Sequence, residues 1–103
     1  MTTSKVILAI DEGTSGTRAA TVSADGRVSC LEYVALQVQT PRPGVVELDA
    51  NAILEKTVEV CRSAIAQARR QGQEIAALAI ATQRATAVLW DTRSGRALVP
   101  AMV

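Results

Sequence analysis

An unbroken apolar run from Val6 to Ile10 ends on Asp11 and opens at once into a small, hydroxyl-rich turn, Gly13-Thr14-Ser15-Gly16-Thr17, before Arg18. A run without period-2 alternation reads as a strand buried on both faces, and Arg18 to Val22 resumes the alternation of a half-buried strand. The stretch therefore reads as a hairpin between two strands. Gly13 and Gly16 allow positive φ and carry no Cβ, so an anion can approach backbone N–H groups there. Thr14, Ser15 and Thr17 add hydroxyl donors. Asp11, at the carboxyl end of a central strand, is placed to hold Mg²⁺ through the ion's retained waters while nucleotide oxygens share it. This pattern points to a phosphate-binding hairpin and to phosphoryl transfer. An ordinary hairpin turn uses the same residue types for conformational reasons alone. The motifs G-x-x-x-x-G-K-[ST] and G-x-G-x-x-G are absent, and both need a helix where this chain reads as strand.

The chain has 103 residues, of which 49% are hydrophobic, which fits one globular domain or a piece of one. Its 11 basic and 10 acidic residues nearly cancel and form no basic run, so no footprint for nucleic acid or an anionic membrane is visible. No apolar run reaches membrane-spanning length, and Met1 to Ser4 leads into a strand without the pattern of a signal peptide. The expectation is a cytoplasmic protein. Histidine is absent, which leaves acid–base chemistry to carboxylates. Cys30 and Cys61 lack C-x-x-C spacing and read as small buried hydrophobes.

Val28, Cys30, Val34, Leu36 and Val38 fall on one face of a long third strand, interrupted by Glu32, after a turn at Ala24-Asp25-Gly26. Thr40-Pro41-Arg42-Pro43-Gly44 reads as a loop and Val45 to Leu48 as a short extended segment. Asp49 is a suitable N-cap for a helix from Ala50 to about Gln71, with Arg69 and Arg70 in its last turn and Gly72 as C-cap. Leu54, Val58, Cys61, Ile65 and Ala68, flanked by Ile53, Thr57 and Ala64, form its apolar face. Ile75 to Ala81 is a second buried strand, which a right-handed crossover places parallel to the first. Thr86 to Trp90 reads as a further strand, Asp91 to Gly95 as a turn, and Ala97 to Val103 as another extended segment. The fold class is α/β: a mixed sheet in which an antiparallel three-strand meander is followed by a helix crossover to a parallel strand. Strands apolar on both faces need helices on both faces, yet only one helix is predicted. The expectation is a partial lobe whose isolated form self-associates through the bare face.

Several spaced stretches carry a family likeness. Asp11-Glu12-Gly13-Thr14 followed by Arg18 resembles the first phosphate loop of the actin-like ATPase superfamily. Pro41 to Asp49 resembles the Pro-x-Pro-Gly-Trp-Val-Glu-His-Asp loop of the FGGY carbohydrate kinases, and Ile75 to Arg84 resembles their strand ending in Asn-Gln-Arg-Glu. Val88 to Asp91 and Thr92 to Gly95 continue the match, and within that family the glycerol kinases are most similar. The resemblance implies an actin-like ATPase (ribonuclease H-like) fold, with residues 1–103 forming the amino-terminal part of the first kinase lobe. It implies ATP and Mg²⁺ as cofactors and a polyol or sugar as substrate. Asp11 would serve Mg²⁺. Gly13, Thr14, Ser15, Gly16 and Arg18 would meet the nucleotide phosphates, and Gln83 and Arg84 the polyol. The general base, the adenine pocket and the second lobe lie beyond these residues in that family, so this chain carries no catalytic base and is expected to be inactive alone. A homo-oligomer is expected of the full-length protein. Ala85 stands where the family has glutamate, which predicts altered acceptor specificity. The competing expectation is an actin-like or chaperone-like ATPase that drives assembly or conformational change.

Overall fold

In the computed structural model, which describes residues 4–103, the same alternation and turn chemistry yield eight elements. In chain order they are β1 (Ser4–Glu12), β2 (Gly16–Ser23), β3 (Val28–Ala35), β4 (Gln39–Arg42), β5 (Val45–Leu48), α1 (Ala50–Arg70), β6 (Gln73–Thr82) and β7 (Ala101–Met102). The main sheet has the order β3-β2-β1-β6. β1, β2 and β3 form the expected antiparallel meander, and β6 pairs parallel to β1. The reading of Met1 to Thr3 lies outside the described residues.

Helix α1 begins where Asp49 accepts hydrogen bonds from the backbone N–H groups of Asn51 at 2.9 Å and Ala52 at 3.4 Å. It ends at Gln71, whose N–H bonds back to Gln67 and Ala68, and Gly72 turns the chain at φ +70° into β6. Its packing differs from the expected stripe. Val60, Ala64 and Ala68 are buried, whereas Leu54 is 61% exposed and Val58 is also exposed. Val60 and Ala64 join Leu8 of β1 and Ala19 of β2 in the core, with Val34, Cys61, Ile65 and Ile75 packed around them. The helix lies chiefly across β2 and β3 rather than over the middle of the sheet. Small Ala64 and Ala68 permit that close approach, so the larger Leu54 and Val58 are left at the margin.

The third strand also departs from a simple alternation. The β2–β3 register slips between Ala19 and Thr21, and Cys30 there has φ 54°. A bulge inserts one extra residue and reverses the facing of everything on one side of it. Val28 is therefore exposed although Cys30 and Leu36 are buried, and the strand stops at Ala35, short of Val38. Glu32, the polar interruption, accepts a hydrogen bond from Gln67 of α1. Fully buried Thr21 lies 2.9 Å from both Ser29 Oγ and Gln73 Oε1, while Gln73 Nε2 donates to Ser29 Oγ at 3.0 Å. These contacts tie the first residues of β3 and β6 to the later half of β2. At the β2–β3 turn, the Ser23 hydroxyl and the Arg27 N–H donate to Asp25 and hold its carboxyl below the ordinary value.

The expected loop at Thr40 to Gly44 is a hairpin instead. Arg42 pairs with Val45 across Pro43-Gly44, and Gly44 has φ +80°. Proline followed by a glycine at positive φ suits a tight turn of type II, and Pro41 is tolerated because β4 is an edge strand. β4, β5 and β7 form a separate small sheet. The strand expected at Thr86 to Trp90 does not form. Only single bridges, Ala87 to Met102 and Trp90 to Ala97, hold that segment, and the extended stretch from Ala97 shrinks to β7. The Asp91 turn is present, with Arg93 N–H donating to Asp91 at 2.7 Å.

Val6, Leu8 and Ile10 of β1 are buried beneath the helix side, while Ile7 between them is 43% exposed. Leu31 and Tyr33 of β3 are exposed too. Only α1 covers the sheet among the described residues, and it covers one side, as the layer count from sequence anticipates. Leu78 and Ile80 of β6, beyond the reach of α1, are likewise exposed.

Candidate functional site

Two chain ends meet at one edge of the main sheet. β1 and β6 run parallel in register to Glu12 and Thr82, so the loops that leave them start side by side. β1 simultaneously pairs with β2, matching Asp11 to Arg18 and Glu12 to Thr17. Strand alternation then sends the adjacent carboxylates to opposite faces. Glu12 turns toward the helix, where it accepts from Thr17 Oγ1 at 3.0 Å and from Thr57 Oγ1 of α1. Asp11 turns to the open face, where its Oδ2 lies 3.7 Å from Arg18 Nη1. The two side chains are 58% and 52% exposed. An exposed ion pair of this kind contributes no more than about 1 kcal/mol, so it leaves the Asp11 carboxylate available to a cation.

The turn between β1 and β2 closes through a hydrogen bond of 3.0 Å from Gly13 N–H to Gly16 O. Its glycines serve close approach rather than unusual backbone angles, because neither has positive φ. A Cβ on Gly16 would collide with the Tyr33 ring, and one on Gly13 would come within 3.1 Å of Gly16 O. The ring also spans the turn in other ways. Tyr33 Oη donates to Ser15 O at 3.1 Å, and the Arg18 guanidinium sits 4.8 Å from the ring centroid, within cation–π range. Leu36 N–H donates to the same Ser15 carbonyl at 2.9 Å. Thr17, expected to offer a hydroxyl to a ligand, is fully buried and donates inward to Glu12. The exposed hydroxyls of the hairpin are those of Thr14 and Ser15.

Residues Gln83, Arg84 and Ala85 form the neighbouring loop. Thr14 Oγ1 donates to Gln83 Oε1 at 3.1 Å, so the hairpin apex touches the second loop directly. Arg84 is exposed and outside any ion pair among the described residues. Ala85 has φ 55°, a left-handed conformation uncommon for a residue other than glycine. The structure thus gathers Asp11, Gly13, Thr14, Ser15, Arg18 and Gln83, with Arg84 next to Gln83. Beside Asp11 and Arg18, the open face forms a concavity of ≈ 390 Å³ floored by Ala9, Ala20, Leu31 and Ala79. Sequence reasoning missed Tyr33. No sequence signal marked it: the turn register, with Val22 opposite Val28 and Thr21 opposite Ser29, extends to Glu32 opposite Arg18, and the slip at Cys30 brings Tyr33 there instead.

Among the described residues no group of three or more His, Cys, Asp or Glu side chains gathers to hold a metal. An ion at Asp11 would therefore rest on one carboxylate, water and ligand oxygens, which is how Mg²⁺ is commonly bound. Cys61 stays protonated: burial and the neighbouring Glu12 charge raise its thiol above the usual value. It remains without assigned chemistry.

The family profile of the FGGY family of carbohydrate kinases, N-terminal domain, matches residues 6–103. The chain belongs to this family. Across 97 residues this FGGY-family chain is 37% identical to a glycerol kinase of Acinetobacter baylyi, covering 94% of the chain and 20% of that enzyme. It is 39% identical over 101 residues to a glycerol kinase of Halalkalibacterium halodurans, covering 98% of the chain and 20% of that enzyme. It spans about a fifth of the length of the glycerol kinases it matches. Among solved structures, Plasmodium falciparum glycerol kinase with ADP superposes at a TM-score of 0.94 and 23% identity, covering 100% of this chain and 21% of that one. Xylulose kinase from Rhodospirillum rubrum superposes at 0.86 and 22% identity, covering 94% of this chain and 20% of that one. These structural likenesses speak to the fold, which is that of the actin-like ATPases. The matching family is one of carbohydrate kinases, not of assembly or chaperone-like ATPases.

The Gly16–Tyr33 contact yields a stability test. Gly16→Ala should push the Tyr33 ring aside, breaking its bond to Ser15 O and its stack on Arg18, at a cost of about 1–2 kcal/mol. In a Tyr33→Ser background the same substitution should cost roughly nothing, since the two changes share one contact. Chemical denaturation of the wild type, the two single variants and the double variant measures this, and equal costs in both backgrounds would contradict it.

Proposed function

We propose that residues 1–103 form the amino-terminal part of the first lobe of an ATP-dependent kinase that transfers the γ-phosphoryl group to a hydroxyl of a polyol or sugar, in the manner of a glycerol kinase. The observation that carries this reading is the hydrogen bond from Thr14 to Gln83, which joins a phosphate-type hairpin to the loop bearing Arg84. Ligands of open α/β sheets gather outside the carboxyl ends of strands, and both loops lie there.

In this reading Gly13, Thr14 and Ser15 line the nucleotide phosphates and Arg18 neutralises phosphate charge from the neighbouring strand, while Gly16, expected to join them, is buried beneath the Tyr33 ring and serves the turn instead. The open turn offers exposed hydroxyls at Thr14 and Ser15. Asp11 would hold Mg²⁺, which when bound neutralises charge on the transferring phosphoryl group. Arg84, with Gln83 beside it, orients the acceptor hydroxyls. Positioning and electrostatic stabilisation supply the catalysis available from these residues. The base that deprotonates the acceptor, the adenine pocket and the second lobe belong to the remainder of a full-length kinase. We place that protein in the cytoplasm as a homo-oligomer acting on a small molecule, with neither nucleic acid nor membrane as partner. The near-neutral charge argues against a nucleic-acid partner, and no helix among the described residues is long and apolar enough to cross a membrane.

In the full-length protein, Asp11→Asn should lower Mg·ATP-dependent phosphorylation by roughly a hundredfold or more, a loss of about 3 kcal/mol in transition-state stabilisation. The unfolding midpoint should hardly move, because the carboxylate is exposed. Steady-state kinetics and denaturation together decide the matter, and wild-type turnover with unchanged Mg²⁺ dependence would return the turn to a purely structural role. Ala85 carries a second expectation, for it leaves acceptor hydroxyls without a carboxylate partner. Glycerol should fall about ten- to a hundredfold below the best alternative polyol or sugar in kcat/KM, the worth of about 1–3 kcal/mol. A substrate panel led by glycerol would contradict this.

A further inference from the structure

The Thr14 hydroxyl has a single proton, and that proton is committed to Gln83 Oε1 at 3.1 Å. Resting on the kinase reading above, we propose that this hydrogen bond is a coupling element: nucleotide and acceptor each release the half of the pair that the other ligand needs. A phosphate oxygen only accepts hydrogen bonds. To donate to it, Thr14 must turn its proton away from Gln83, which leaves the Gln83 carbonyl without its donor. A hydroxyl of the acceptor is a donor of the right kind, and Gln83 precedes Arg84 in the loop assigned to the acceptor. In the other order, an acceptor hydroxyl that donates to Gln83 Oε1 frees the Thr14 proton for phosphate. Each ligand therefore strengthens the other, and linkage makes the effect reciprocal.

The fold supports such a short path. β1 and β6 are adjacent and parallel, with Glu12 opposite Thr82, so no other strand stands between the two loops. Thr14 is exposed and Gln83 half-buried, and both are reachable by ligand. The carbonyl of Ser15 already accepts from Tyr33 and Leu36 and so does not draw the Thr14 proton, and the Thr17 hydroxyl is turned to Glu12 and so does not donate to Gln83. Gln83 on this reading holds the Thr14 proton only while the nucleotide site is empty, and otherwise serves the acceptor.

The test is a double-mutant cycle on the full-length protein. Calorimetry measures binding of a non-hydrolysable ATP analogue with Mg²⁺, alone and with saturating glycerol, erythritol, xylitol or D-xylulose. In the wild type the preferred acceptor should tighten analogue binding roughly three- to tenfold, the worth of one neutral hydrogen bond. Gln83→Leu should bring that ratio to about one while leaving acceptor-free analogue affinity undiminished, because Thr14 is no longer tied up. Thr14→Val should also abolish the ratio, and the double variant should lose no further coupling. Gln83→Glu, which keeps an acceptor oxygen, should retain a ratio above one. A Gln83→Leu protein that keeps the wild-type ratio overturns the inference. So does one that binds the analogue more weakly without acceptor, as a purely structural prop would. A wild-type protein that binds neither analogue nor acceptor overturns the kinase reading itself, an outcome distinct from binding without coupling.

Discussion

The parallel pairing of β1 with β6 is the contact on which the site depends. It runs from Ser4 opposite Gln73 to Glu12 opposite Thr82, with one irregularity after Val6. Because β6 follows the crossover helix, the pairing exists only if α1 packs back onto the sheet. Asp49, Gly72 and the small-residue stripe through Ala64 and Ala68 secure that return. Once the strands are aligned, two loops some seventy residues apart in sequence are within hydrogen-bonding distance.

A second consequence follows from alternation at the end of β1. Adjacent carboxylates would repel if both faced a nucleotide, and the strand separates them. Glu12 is absorbed by two threonine hydroxyls, one from β2 and one from α1, which pins the hairpin to the helix. Asp11 is left on the open side beside Arg18 and Tyr33. The same residue pair thus divides into an internal brace and an external charge. Replacement of Glu12 and of Asp11 would act on different properties, one on the hairpin's anchoring and the other on the charge of the open face.

Much of this was readable in the residues. The meander, the capped helix, the crossover and the parallel strand came from local signals, namely apolar runs, an N-cap and a C-cap glycine. The failures have long-range causes. Cys30 forms a bulge that reverses which residues of β3 face inward, and no local pattern announces a left-handed cysteine. Leu54 and Val58 matched helical periodicity but lie outside the footprint of the sheet, which only tertiary packing decides. Thr86 to Trp90 has strand-like composition without a neighbouring strand in register, so only isolated bridges form. Around the β1–β2 turn, Asp11, Thr14, Ser15, Arg18 and Gln83 lie near one another, whereas Thr17 turns inward and Tyr33 enters because the register, not its residue type, puts it over Gly16.

In the proposed kinase, two loops on neighbouring strands bring nucleotide and acceptor together. Neighbouring strands are about 4.8 Å apart, so groups bound to both loops should lie within roughly 10 Å. Mn²⁺ substituted for Mg²⁺ in the full-length protein, with a non-hydrolysable ATP analogue bound, would report that separation through paramagnetic relaxation of the acceptor's protons. Strong relaxation of those protons, lost in Asp11→Asn, is the expected result. Acceptor protons that remain unrelaxed while metal, analogue and acceptor are all bound would contradict it.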